Sequence, residues 1–274
     1  MEERTHSTLS KHVAGIIPVS GLRTDIDSFF PNSMLPIGNG FYSIQRSVVE
    51  CSYAGCDTIW IVCTDKEAPL IKSVCGDFVL NLHDYDHAKY SKYPKDNRRT
   101  VPIFYAPLSY KHQTKTGLGA AIIDGINACF HASSKISKWI VPNKYYVSSP
   151  YGVYNPQINK IRGHIANNDS FFLTCGGESA LTGHHLGFSL GIEQVKHINY
   201  LFKRMSPKTH FSIDKILNND IVKKQIETLE IDSYNNIQDW NEYVQMWKNP
   251  LSIQPQYRYC FDVAFKKQER KLND

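Results

Sequence analysis

Short apolar runs alternate with amphipathic stretches through the first half of the chain. The runs at residues 13–19, 58–63 and 101–105 are almost continuously apolar, which is typical of strands buried on both faces of a sheet. Amphipathic stretches beside them predict helices, at residues 44–53, 69–74 and 119–131. This alternation predicts an α/β fold with a mostly parallel sheet and helices on both faces.

The same pattern predicts where a ligand binds. A fourth apolar run, at residues 138–141, reads as another strand of the sheet. Ligands of parallel α/β sheets bind beyond the carboxyl ends of the strands. The segments after residues 19, 63, 106 and 141 are therefore expected to form the site.

The pattern changes after residue 191. Helical periodicity then dominates, at residues 195–205, 213–229 and 237–247, with prolines as breakers. We therefore predict an α/β domain over residues 1–191 and a mostly helical part over residues 192–274, packed on the domain.

Composition limits the classes of protein. The formal net charge of +5 permits a polyanionic partner without requiring one. No run of about 18 apolar residues predicts a membrane span, and no secretion signal opens the chain. The seven cysteines lack a CxxC pair and sit mostly beside apolar residues, which favours the cytoplasm.

The segment after the first strand carries phosphate-binding chemistry. It reads Pro18-Val19-Ser20-Gly21-Leu22-Arg23-Thr24. Small residues allow backbone N–H groups to approach phosphate oxygens, and an arginine can neutralise their charge. A glycine turn without a ligand is the alternative.

This segment and the stretch at residues 31–38 resemble the opening of the sugar-1-phosphate nucleotidyltransferases, which has the form hhPAgGxGTRhxPhTxxxPKPhhPh. The resemblance extends to the spacing of the next strand. It implies a nucleotidyltransferase or GT-A type of fold that binds a nucleotide-sugar. Nucleotide contacts are expected from Pro18, Val19, Ser20, Gly21, Leu22 and Arg23, and from Asp65, Asn143 and Lys144 beyond later strands.

Three departures from the family pattern concern its chemistry. Asn32 stands where the family has a lysine that contacts the phosphoryl groups. Asn143 and Asn236 stand where the family has the aspartates that hold Mg²⁺. Without those carboxylates the usual metal site is missing, although a divalent metal could enter otherwise. Lys144 is then expected to face the diphosphate in place of the metal, or to be an ordinary surface lysine.

The candidates for acid–base chemistry are Asp25, His184 and His185. The histidines follow an aromatic strand and a glycine turn at residues 171–183, in a hairpin that in the family lies over the sugar. Structural hydrogen bonding is an equally good reading of each histidine. The triplet Asp84-Tyr85-Asp86 is typical of a glycosyltransferase metal site, but it falls within a polar insertion at residues 83–97 rather than after a strand.

Further segments, at residues 97–105, 139–154 and 186–189, resemble a nucleotidyltransferase-like family of T-even-type bacteriophages. Some members of that family look like transferases that place arabinose on 5-hydroxymethylcytosine. The resemblance implies a UDP-sugar donor and a double-stranded hydroxymethylated DNA acceptor. The basic, aromatic tract at residues 85–99 would contact DNA through Lys89, Lys92, Tyr93, Arg98 and Arg99, and a solvated loop is the alternative.

Three functions follow from the sequence. The first is a glycosyltransferase that acts on phage DNA. The second is a sugar-1-phosphate nucleotidyltransferase that makes the nucleotide-sugar, and the third is a non-catalytic binding module. The sequence leaves the sugar, the base, the stereochemical outcome and the oligomeric state open.

Overall fold

A computed structural model gives the architecture. It describes residues 12–20, 31–82, 100–109, 117–137, 140–157, 161, 163, 165, 170–204, 212–217, 226–248, 250, 254 and 257–261.

Within the described residues, the structure is built on one mixed sheet of nine strands. They are β1 (Val13–Pro18), β4 (Thr58–Cys63), β5 (Phe78–Leu80), β6 (Thr100–Pro107), β7 (Lys144–Val147), β9 (Ser170–Cys175), β10 (Glu178–Ser179), β11 (Phe188–Gly191) and β12 (Ile226–Glu230). Their order is β10-β9-β11-β7-β1-β4-β6-β5, and β12 pairs with β9. Two small ribbons pair β2 (Pro36–Gly38) with β3 (Phe41–Tyr42), and β8 (Gly152–Val153) with β13 (Asn235–Asn236).

Helices cover both faces of the sheet. They are α1 (Ser43–Tyr53), α2 (Ala68–Cys75), α3 (Leu118–Ile136), α4 (Ile192–Arg204), α5 (Ile213–Leu217) and α6 (Trp240–Lys248). The first two pack with Ile17 on one face, and α3 to α5 pack with Ile16 on the other. In the described part of the chain, no helix combines the length and apolar character that a membrane crossing needs.

The predicted fold class is confirmed. The four central strands β7, β1, β4 and β6 run parallel, while β11 and β5 join them antiparallel. The strands predicted at residues 13–19, 58–63 and 101–105 and the helices beside them are present. Gly125 lets α3 approach the sheet, because an added Cβ would lie 2.5 Å from Val62.

The fourth strand prediction is wrong. Ile140 and Val141 lie outside any strand, and β7 begins only at Lys144. All four residues of β7 are buried, even though the first is a lysine. The lysine is tolerated because its ammonium group donates to the carbonyl oxygen of Ile165 at 2.8 Å.

One stretch after residue 191 that was predicted to be helical is a strand. Of the helix expected over residues 213–229, the described residues 213–217 form α5, whereas residues 226–230 form β12. That strand pairs in parallel with β9, from Ile226 beside Ser170 to Glu230 beside Thr174. The later chain therefore extends the main sheet at its edge.

Candidate functional site

The segments that follow β1 and β4 are joined at the carboxyl edge of the sheet. The hydroxyl of Ser20 donates to the carboxylate of Glu67 and accepts the backbone N–H of Thr64 at 3.0 Å. The same Glu67 oxygen accepts the Thr64 N–H at 2.9 Å and the Thr64 hydroxyl at 2.8 Å. This cluster fixes where the chain leaves β1.

The donors at the start of that segment are already used. The backbone N–H groups of Val19 and Ser20 both donate to the carbonyl oxygen of Val62, at 2.9 and 3.4 Å. Pro18 has no N–H to donate. These three residues therefore anchor the segment, and a phosphate would take its backbone donors from residues further along.

Ser148 and Ser149 follow β7 at the same edge. The Ser149 hydroxyl lies 3.1 Å from His185 Nδ1. Tyr151 links this part of the edge to β1, because its hydroxyl donates to the carbonyl oxygen of Val19 at 2.5 Å. The edge is thus a continuous hydrogen-bonded surface from β4 to β7.

A buried ion pair lies beneath Ser148. Arg46 and Glu50 on α1 are fully buried and 2.7 Å apart. The Glu50 carboxylate also accepts the hydroxyls of Tyr146, Tyr154 and Ser148, the last two at 2.7 and 2.5 Å. Burial first, and then the Glu50 charge, raises the pKa of both tyrosines well above the usual value, so they remain donors.

The same network holds the histidine segment in place. Gly187 donates its N–H to the Tyr154 hydroxyl at 3.0 Å, and an added Cβ would lie 2.5 Å from the Tyr146 hydroxyl. The N–H of His185 donates to the Tyr234 hydroxyl at 2.9 Å. No side chain larger than glycine fits at residue 152, where a Cβ would collide with the His185 carbonyl oxygen.

His184 and His185 have different surroundings. His185 is buried, and burial together with His184 lowers its pKa to about 3. An imidazole with so low a pKa is a weak base, so the structure does not favour His185 for proton abstraction. His184 is partly exposed, with Nδ1 3.6 Å from the Glu178 carboxylate and its ring edge-on to Tyr234.

His184 opens onto a polar groove of about 290 Å³. The hairpin side of the groove is formed by Glu178 and His184, and the opposite side by Asn241, Glu242 and Gln245 of α6. Tyr234, Asn235 and Asn236 complete the lining. The groove adjoins the carboxyl edge because Asn236 pairs with Gly152, and Ile237 donates its N–H to the Tyr151 carbonyl oxygen at 2.9 Å.

A Mg²⁺ ion of the kind that the sequence resemblance implies does not fit the described residues. Ser148 and Ser149, rather than Asn143, follow the strand after which the family carries its first metal aspartate, and residue 236 is an asparagine, which is a neutral amide. Within the described ranges, no three His, Cys, Asp or Glu side chains come together as metal ligands. Neutral hydroxyls and amides cannot replace a carboxylate set for this ion.

The expected role of Asn143 and Lys144 rested on the wrong strand. Asn143 precedes β7 and Lys144 is its first residue. Lys144 pairs with Val13 at the amino end of β1, and the backbone N–H of Asn143 donates to the carbonyl oxygen of His12 at 3.1 Å. Both therefore lie at the opposite edge of the sheet from Ser20. A lysine that is buried on the Ile165 carbonyl does not face a diphosphate at the carboxyl edge.

Of the other predicted residues, the structure brings Pro18, Val19, Ser20 and Asp65 to one edge. Asp65 is exposed two residues beyond β4. The Asp84-Tyr85-Asp86 triplet lies outside the described residues. So do the remaining predicted site residues, which are Gly21, Leu22, Arg23, Asp25, Lys89, Lys92, Tyr93, Arg98 and Arg99. Their roles stay predictions.

Sequence reasoning missed several residues that shape this region. Glu67, Glu50 and Tyr234 act through partners that are 47 to 104 residues away in the chain. No local spacing of residues in the sequence predicts such contacts. A Ser-Ser pair directly after the aromatic strand Tyr145-Tyr146-Val147 was the one available signal for Ser149.

The fold is shared with solved structures of sugar-1-phosphate nucleotidyltransferases. A putative glucose-1-phosphate thymidylyltransferase from Bacillus anthracis, in complex with sucrose, superposes with a TM-score of 0.62 and 11% identity, over 89% of this chain and 98% of that one. A UDP-glucose pyrophosphorylase complexed with UDP-glucose gives 0.55 and 13%, over 87% and 98%. Neither a protein-family model nor a curated protein matches the sequence. The chain therefore has the nucleotidyltransferase fold.

Proposed function

We propose that this chain binds a nucleotide-sugar at the carboxyl edge of its sheet and acts as a sugar-1-phosphate nucleotidyltransferase. The observation that carries the proposal is the shared fold, which covers nearly the whole length of both solved enzymes, one of them complexed with UDP-glucose. The edge from Ser20 to Ser149 lies where ligands of such sheets bind.

In this reaction a phosphate oxygen of the sugar 1-phosphate attacks the α-phosphorus of a nucleoside triphosphate. The new P–O bond forms as the α–β phosphoanhydride bond breaks, and pyrophosphate leaves. The described residues have a positioning role in this proposal. The hydrogen bonds among Ser20, Thr64 and Glu67 fix the start of the segment that leads to Gly21 and Arg23. Arg23 would supply the cation that faces the phosphates.

The second candidate is sugar transfer from a UDP-sugar to the hydroxymethyl group of 5-hydroxymethylcytosine in double-stranded DNA. What favours it is the set of neutral residues at positions that carry charge in nucleotidyltransferases: Asn32, Ser148, Ser149 and Asn236. An acceptor hydroxyl would attack the anomeric carbon, the glycosidic C–O bond to phosphate would break, and a nucleoside diphosphate would leave. His184, on the partly exposed side of the hairpin, is the best-placed described base.

One set of assays separates the two candidates. Binding of UDP-glucose to the full chain is measured first by calorimetry, because both candidates require it. Pyrophosphate release from nucleoside triphosphate plus sugar 1-phosphate supports the first candidate. Release of nucleoside diphosphate that depends on hydroxymethylated DNA, with a matching mass increase of the DNA, supports the second.

Variants make the assays specific. Glu67→Gln should weaken UDP-glucose binding by releasing the segment after β1, whereas Glu193→Gln, in an exposed ion pair on α4, should leave it unchanged. Nucleotide-sugar binding with neither product, across a panel of sugars and both acceptors, would reject both reactions and leave a binding module.

A further inference from the structure

The groove between the hairpin and α6 has a charge that is opposite to that of the chain as a whole. Among the described residues, its lining contains two carboxylates, Glu178 and Glu242, and neither a lysine nor an arginine, although the chain carries a net charge of +5. A phosphate group would meet repulsion here. The groove is therefore unsuited to the phosphates of a nucleotide.

Negative charge surrounds the Glu242 carboxylate on its side of the groove. Burial, the Asp239 charge and the Glu178 charge all raise the pKa of Glu242, and His184 opposes them. A carboxylate that is partly buried beside other negative charges is stabilised by a cation placed next to it. His184 already lies 3.6 Å from Glu178, on the same wall.

The rest of the lining suits hydroxyl groups. Asn235 and Asn236 lie beside Tyr234, and Asn241 and Gln245 lie one turn apart on α6. Each amide both donates and accepts hydrogen bonds, which matches a hydroxyl that does the same. The volume of about 290 Å³ is near the lower end of the range for small-molecule sites.

We propose that this groove binds a ligand that carries an ammonium group among hydroxyl groups, with Glu178 and Glu242 on the ammonium and the amides on the hydroxyls. An amino sugar has this chemistry. The groove adjoins the phosphate-facing edge, so its part in selecting a substrate rests on the proposed function, whereas binding of an ammonium group there does not. It would give the protein selectivity for an amine-bearing sugar or acceptor over a neutral one.

The test compares three probes that share one ring. Glucosamine, glucose and N-acetylglucosamine are titrated into the full chain and followed by NMR, at a pH where the glucosamine amine is protonated. Glucosamine should bind about tenfold more tightly than either neutral probe, as two partly exposed ion pairs allow. Equal affinity for all three, or no detectable binding of glucosamine, would overturn the proposal.

Variants of the two glutamates test which side chains bind the ammonium group. Glu178→Gln and Glu242→Gln should each weaken glucosamine binding by about two- to fivefold and leave glucose binding unchanged. Glu193→Gln, on α4 outside the groove, should change neither. Unchanged glucosamine binding in both groove variants would also overturn the proposal. Titration of UDP-glucose in parallel keeps the proposals apart, because its failure beside intact glucosamine binding counts only against the nucleotide-sugar site.

Discussion

The hydroxyl of Ser20 donates to the carboxylate of Glu67, across 47 residues of chain. This bond joins the end of β1 to the start of α2, at the edge where ligands of parallel sheets bind. Because Glu67 also accepts both donors of Thr64, one carboxylate oxygen organises two of the segments that border the site.

Replacing this carboxylate should loosen both segments. In Glu67→Gln the amide oxygen can still accept, but the charge that strengthens three hydrogen bonds is lost. We expect a loss of about 1–2 kcal/mol in the free energy of unfolding and faster amide exchange at Thr64. Urea denaturation and hydrogen exchange measure the two effects. Glu193→Gln, in an exposed pair, is the control, and an equal loss there would contradict the role given to Glu67.

Tyr154 and Tyr145 offer a matched pair of buried hydroxyls. Tyr154 donates to Glu50 and accepts from Gly187, whereas the buried Tyr145 hydroxyl has no hydrogen-bond partner among the described residues. Tyr154→Phe should lower the free energy of unfolding by about 1–3 kcal/mol, because a buried N–H and a buried carboxylate each lose a partner.

Tyr145→Phe removes a hydroxyl of equal size and should be close to neutral. Urea denaturation of the two variants against the parent measures the difference directly. Equal losses in both would mean that the Glu50 network adds nothing beyond ordinary packing.

The Glu50 network also shows why parts of the structure escape sequence reasoning. Arg46 and Glu50 are four residues apart, a spacing that usually indicates an exposed helix face with an ion pair. Here the pair is buried because Tyr146, Tyr154 and Ser148, about 100 residues later, complete its hydrogen bonds. Only the folded sheet brings these residues together.

The strands that were predicted correctly are apolar runs whose side chains need no hydrogen-bond partner from a distant part of the chain. The run at residues 58–63 reads as a buried strand by composition alone. By contrast, β7 contains a lysine and two tyrosines, and the ammonium group of the lysine has its hydrogen-bond partner, the Ile165 carbonyl oxygen, outside the strand. The run just before β7 is more apolar, so the strand was predicted there instead. The error moved the expected diphosphate contacts to the wrong edge of the sheet.

The edge strand β12 was predicted as part of a helix for a related reason. Residues 226–230 read Ile-Glu-Thr-Leu-Glu, and the two apolar residues are three positions apart, a spacing that suits a helix rather than a strand. Their conformation is decided by β9, which offers them a parallel pairing partner. Similarly, the groove combines a hairpin with α6, two elements more than 50 residues apart in sequence, so no local motif predicts its lining.

Gly187 should not tolerate a side chain. An added methyl group would lie 2.5 Å from the Tyr146 hydroxyl and 2.9 Å from the Glu50 carboxylate, inside a hydrogen-bonded cluster with little room to move. Gly187→Ala should cost about 1–3 kcal/mol of stability. The control is Gly163→Ala, where an added Cβ meets nothing within 4 Å. Thermal unfolding measures both, and a Gly187 variant as stable as the control would show that the cluster adapts.

His185 should make the protein sensitive to mild acid. Its pKa is lowered to about 3 by burial and by His184, whereas an unfolded chain leaves a histidine near 6.5. Between these values the unfolded state binds a proton that the folded state does not, so stability falls as the pH falls below 6.5. At about pH 4.5 the loss from this residue should be roughly 2 to 3 kcal/mol relative to neutral pH.

His185→Asn removes the titrating group and should flatten this part of the pH profile, even if it lowers stability at neutral pH through the lost contact with Ser149. His131→Asn, at an exposed position on α3, should leave the profile unchanged. Urea denaturation at several pH values from 7 to 4.5 compares the three proteins. A His185 variant that loses as much stability with acid as the parent would place the acid-sensitive group elsewhere, and His185 would then be protonated in the folded protein.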